Sequence, residues 1–129
     1  MSVAVPELAV EEFQTKYQTQ RSLERRRESN DLEMRFKSLV EAWKQECPPS
    51  SRIERLIMQP SYQQIIGMGP DAIPLILREL NQSPDQWFWA LQSITGENPV
   101  QAGNRGNMGA MIEDWNDWAK NRKLELVKQ

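Results

Sequence analysis

The spacing of apolar residues constrains this chain more than any other feature. Leu32, Phe36, Leu39, Val40 and Trp43 fall at i, i+4, i+7, i+8 and i+11, which lines them up along one side of an α-helix. Met108, Met111, Ile112, Trp115 and Ala119 form a second such stripe, with Trp118 on its edge. No alternating apolar and polar run is long enough for a strand pair, and no Asn-Gly turn joins two β-branched segments. The expected fold class is all-α, a compact helical bundle with a long N-terminal helix.

Proline, glycine and capping residues divide the rest. Residues 1–6 end in Pro6 and have nothing to pack against, so they are expected to be disordered. From Glu7 to about Glu28 the composition favours helix, but Leu8, Phe13, Tyr17 and Leu23 supply only a thin apolar stripe. Asn30 and Glu33 have capping-box spacing, which leaves open one helix over 7–46 or two joined near Ser29. Cys47-Pro48-Pro49 ends the segment. Ser51 and Glu54 set up a short helix with Ile53, Leu56 and Ile57 as its apolar face and Pro60 as its stop. A further turn or two over Tyr62–Ile66 closes at Gly67. Asp71 is expected to cap a helix carrying Ile73, Leu75, Ile76, Leu77 and Leu80. Ser83 and Gln86 are expected to cap another, ending at Thr95 and Gly96. One long Gly- and Asn-rich loop precedes the last helix, which starts near Asn107, and Leu124, Leu126 and Val127 form a short apolar tail. The expected organisation is a helical extension over 7–30 and a helical domain over 31–129.

Composition removes several chemistries. The chain has no histidine and one cysteine, Cys47, so it cannot form a His-based triad, a His-bearing zinc site, a Cys-His pair or an internal disulfide. No run approaches the roughly 18 apolar residues of a membrane span, and the N-terminus lacks a charged region followed by a long apolar segment. A cytoplasmic location and no membrane partner are expected. Residues 1–47 carry eight basic and nine acidic side chains, and so do residues 48–129, so neither half is a cationic arm. The local exception is the cluster Arg21, Arg25, Arg26 and Arg27, which only Glu24 offsets.

Residues 65–98 resemble a HEAT-type helix pair. The pattern is Gly69, the acidic Asp71, Ile73-Pro74-Leu75, Leu77 and Leu80, then Trp87, Ala90, Leu91, Ile94 and Gly96. Such a pair leaves an apolar face that neighbouring helices must cover. No second copy of the pattern is evident, so the resemblance implies a compact bundle rather than a solenoid. Residues 35–122 also resemble a group of small bacterial proteins of unassigned function. The strings that carry this likeness are Pro60-Ser61-Tyr62-Gln63, Ile66-Gly67-Met68-Gly69-Pro70, Trp87-Phe88-Trp89-Ala90-Leu91, Ile94-Thr95-Gly96 and Trp115. That resemblance implies a setting in mobile-element or defence loci beside a partner gene, and no chemistry.

Among candidate site residues, Trp89 points nearly opposite the face shared by Trp87, Ala90, Leu91 and Ile94. It either packs a helix buried on both sides or anchors a partner. Glu113 and Asp117 are an i, i+4 carboxylate pair that could hold a cation, but they lie opposite the last helix's apolar stripe, as solvated acids do. Cys47 has no partner near in sequence and reads as inert. Asn98, Asn104, Arg105 and Asn107 in the long loop are either a polar linker or a contact surface. The expectation is a non-enzymatic interaction module that binds and regulates or neutralises another protein, antitoxin-like or as a defence-system accessory subunit. Phe13, Tyr17, Leu23 and Trp89 would be its contacts, with no cofactor or metal. Self-association through the N-terminal helix would use the same residues. The alternative is a nucleic-acid-associated regulator using Arg21, Arg25, Arg26 and Arg27, with nucleic acid not expected as the sole ligand.

Overall fold

A computed structural model describes residues 7–48 and 52–122, with only the backbone for residues 7–15 and for Tyr17. The described chain is all-α, with six α-helices, two 3-10 turns and no strand among the described residues. The helices are α1 Glu7–Glu46, α2 Ile53–Met58, α3 Pro60–Gly67, α4 Ile73–Gln82, α5 Phe88–Thr95 and α6 Met108–Asn121. The 3-10 turns are Gly69–Ala72 and Ala102–Asn104. The chain divides into two units, Met1–Met34 and Arg35–Gln129.

In the first unit the backbone is helical without interruption from Glu7 to Met34, so the Asn30 and Glu33 pair does not start a new helix. Every described side chain from Lys16 to Asp31 is exposed. Nothing apolar is buried there, and the helix rests on the propensity of its Gln, Glu, Arg and Lys residues. The expectations for residues 1–6, Ser51, Leu124, Leu126 and Val127 fall outside the described residues.

The second unit is built on an aromatic cluster. Phe36 and Trp43 from α1, Tyr62 from α3 and Trp87 just ahead of α5 are all essentially inaccessible to water. Tyr62 stacks on Trp87 with ring centroids 5.4 Å apart and planes 3° from parallel. Trp43 closes on both, at 4.7 Å from Trp87 and 5.5 Å from Tyr62. Around this cluster pack Val40, Ile65, Ile73, Leu75, Ile76, Leu77, Leu80, Ala90 and Leu91, while Trp115 and Ala119 bury α6 against α4. Large rings dominate the packing, as suits a chain of 129 residues with little volume to bury.

Tertiary bonds replace several of the expected helix caps. Pro60 stops α2, which ends at Met58 with Gln59 extended, and it also opens α3, where its fixed φ and missing N–H suit the first turn. The cap for α3 comes from Glu46, whose carboxylate accepts from the Ser61 amide at 3.2 Å and the Ser61 hydroxyl at 2.6 Å. Asp71 lies inside the Gly69–Ala72 turn, and α4 starts from Ala72 without a side-chain cap. Helix α5 begins at Phe88, later than the Ser83 and Gln86 pair predicts. Its first-turn amide on Ala90 donates instead to the Tyr62 hydroxyl at 2.9 Å, and that hydroxyl donates to the Gln86 carbonyl at 2.9 Å. Gly96 does end α5 as the sequence predicts, at φ 71°, and α6 starts beside Asn107 as expected, where the Asn107 side chain accepts from the Ala110 amide.

Candidate interaction surface

Helix α5 presents one face to the core and the opposite face to solvent. Trp87, Phe88, Ala90 and Leu91 are buried, but Trp89 keeps 49% of its surface exposed. Three of the five tryptophans, Trp43, Trp87 and Trp115, are fully enclosed, and Trp118 is half-buried. Trp89 is the odd one out. Packing on both sides of α5, one of the two readings open from sequence, is not what the chain adopts.

Trp89 forms one wall of a shallow groove of about 230 Å³ along the last turns of α5. Gln92, Ser93 and Gly96 follow it at helical spacing, and Glu97 and Asn98 complete the lining. Both acidic and amide walls are held from behind. The Glu97 carboxylate accepts from the Trp118 indole N–H at 3.4 Å and from the Arg122 guanidinium. Arg122 lies over the Trp118 ring, 4.8 Å from its centroid. Asn98 accepts from the Val100 amide at 3.2 Å, and Val100 is buried.

The long loop is a fixed structure with little resemblance to a free linker. Asp114 on α6 accepts from the Gln101 amide at 3.1 Å and from the Asn104 side chain at 2.9 Å. Asn104 is thereby committed to the fold and the Asn107 side chain to the start of α6, while Arg105 is exposed. Glu113 and Asp117 face solvent, and among the described residues no three His, Cys, Asp or Glu side chains gather where a cation could sit. Cys47 is half-buried; burial raises its thiol above the ordinary value, and Glu46 and Asp85 add to the effect, which disfavours the nucleophilic thiolate.

The first unit holds the remaining expected residues. Leu23 is 49% exposed, and Met34, which the sequence did not single out, is 68% exposed. The side chains of Phe13 and Tyr17 lie outside the described residues. Arg21, Arg25, Arg26 and Arg27 are all exposed. At about 100° per residue, Arg21 and Arg25 share a side of α1, while Arg26 and Arg27 turn progressively away from it. Glu24 and Glu28 line the same shallow depression as Arg21 and Arg25, so acid and base alternate there.

Helix α2 contributes a surface that periodicity hid. Ile53 and Met58 are 53% and 69% exposed, and none of the six residues of α2 is buried, although four are apolar. It is held mainly by its carbonyls: Trp43 donates to Leu56 at 2.7 Å, Gln63 to Ile57 at 2.6 Å and Gln59 to Arg55 at 3.1 Å. Compared with protein families, curated proteins and solved structures, the chain matches none.

Proposed function

We propose that this chain is a non-enzymatic interaction module that docks on another protein and regulates or neutralises it. The observation that carries the reading is Trp89: a tryptophan half exposed beside a defined groove, in a unit that fully encloses Trp43, Trp87 and Trp115. Indole surface in water is unfavourable at roughly 25 cal/mol per Å², and tryptophan is the residue type most enriched among interface anchors. Leu23 and Met34 on α1, and Ile53 and Met58 on α2, add apolar surface that a partner would cover. Phe13 and Tyr17 belong to the same proposal from sequence alone. An antitoxin-like or accessory role in the cytoplasm belongs to the same proposal and rests on the sequence strings of residues 35–122 alone.

The test is co-expression with the product of the adjacent gene, followed by size exclusion at micromolar concentration. One shared peak is expected, and Trp89→Ala should split it while leaving the helical circular dichroism intact. Separate peaks for the unaltered chain, or a shared peak unaffected by Trp89→Ala, would overturn the reading. A mass measurement of the isolated chain separates this from self-association, which doubles the mass without any partner.

A further inference from the structure

We propose that the groove beside Trp89 receives an arginine side chain of the partner protein. This rests on the reading of Trp89 as a contact residue and adds the chemistry of what it contacts.

Three features of the groove favour a planar cation. Its wall is the half-exposed Trp89 indole, a ring whose quadrupole attracts a guanidinium stacked on it. It runs along the C-terminal turn of α5, the negative end of that helix's dipole. Its rim carries Glu97, the only charged residue lining it among the described residues. That carboxylate is held by Trp118 and Arg122, yet the Glu97 side chain stays 41% exposed. A carboxylate has about four acceptor positions, so two donors do not exhaust it.

The same chemistry is already assembled once on the other side of Glu97. Arg122 rests on the Trp118 ring and binds the Glu97 carboxylate, a guanidinium held by an indole face and an acid together. The groove offers Trp89 and Glu97 for a second guanidinium, this time from outside. Arginine fits better than lysine because its flat fork can stack on an indole and bind a carboxylate at once, whereas an ammonium is a strongly hydrated point charge. Gln92, Ser93 and Asn98 line the groove with neutral polar groups, and Arg122, the cation already on Glu97, is not among the lining residues.

The probe is a capped Gly-Arg-Gly peptide, titrated into the ¹⁵N-labelled full chain at low ionic strength, where an exposed ion pair is least screened. Matched peptides carry citrulline, which is nearly isosteric and uncharged, or lysine. The readout is the Trp89 indole N–H signal, assigned by its loss in Trp89→Phe, together with the Gly96 and Asn98 amides. The arginine peptide is expected to move all three and the citrulline peptide to leave them in place. Lysine should bind more weakly. Asn98→Asp keeps the acceptor for the Val100 amide and adds a charge to the groove, so it should tighten the arginine peptide by about threefold. Glu97→Gln should weaken it by a similar factor. Equal shifts from arginine and citrulline, or no shift at tens of millimolar peptide, would overturn the proposal. If the partner complex still depends on Trp89 in that event, the interaction reading stands and only the guanidinium assignment falls.

Discussion

Replacing Tyr62 with Phe should be among the most costly single-atom changes in this protein. The hydroxyl links two elements: it donates to the Gln86 carbonyl and accepts from the Ala90 amide, each at 2.9 Å. Ala90 is the third residue of α5, so its amide has no acceptor within the helix, and Trp87 offers no side-chain cap. The Tyr62 oxygen is therefore a tertiary N-cap. Losing a cap costs about 1 kcal/mol, and leaving a buried polar group unpaired costs about 1–3 kcal/mol. Tyr62→Phe keeps the ring that stacks on Trp87, so the expected loss of about 2–3 kcal/mol reports on the hydroxyl alone. Alkaline pH supplies a second arm. Burial holds the Tyr62 ionisation well above the ordinary tyrosine value, with the Ala90 amide pulling the other way and Asp85 adding a small upward push. The folded chain thus keeps a proton that the unfolded chain releases above about pH 10. This contribution is complete below that pH and falls by about 1.4 kcal/mol per pH unit above it. Tyr62→Phe lacks that slope, so the gap between the two proteins should shrink by roughly half between about pH 8 and about pH 11. Urea denaturation of both proteins at the two pH values measures it. A variant within about 0.5 kcal/mol of the parent at the lower pH would refute the capping argument.

Other substitutions test the remaining supports of the fold. Glu46→Ala should lose about 1 kcal/mol in urea denaturation, because Ser61 at the start of α3 loses its carboxylate acceptor. Gly96→Ala should cost about 1 kcal/mol by the same measure. The space beside Gly96 is open, so that cost comes from its φ of 71° and not from a clash. Gly103→Ala, also in open space but without a positive φ, should be neutral or slightly stabilising. Asp114→Ala should speed hydrogen exchange at the Gln101 amide by about tenfold, since the carboxylate is its acceptor.

The positions of Phe36, Val40 and Trp43 show what periodicity can reach. A stripe at i, i+4 and i+7 marks a buried face whatever covers it, and all three residues are in the core. The same holds for Leu75, Ile76, Leu77 and Leu80 around most of α4, and for Trp115 and Ala119 on α6. Helix starts were harder to read. Asp71, Ser83 and the pair Asn30 and Glu33 have the right local chemistry, but none caps a helix: α1 runs on through Asn30, Asp71 sits inside a 3-10 turn, and no local pattern records that Glu46 and Tyr62 arrive from elsewhere at α3 and α5. Capping rules describe supply within four residues; these caps come from 15 and 28 residues away.

Exposure is the property that sequence leaves most open, and the candidate surface depends on it. Trp89 and Trp87 are the same residue type two positions apart, yet one is 49% and the other 1% accessible. Angular position alone separates them onto different faces, without saying whether anything covers the second face. Ile53, Leu56 and Ile57 mark the opposite failure: their spacing predicts a buried face for α2, yet no residue there is buried. A six-residue helix offers too little apolar area to organise its own packing, so the hydrogen bonds from Trp43, Gln59 and Gln63 decide how it sits. Its apolar side chains go where those bonds leave them. The groove arises in the same indirect way. Gly96 turns the chain out of α5, and Trp118 and Arg122 on the far side of the loop draw Glu97 into place, so an acid stands beside an indole eight positions earlier. Neither residue announces a site by itself; the turn between them makes one.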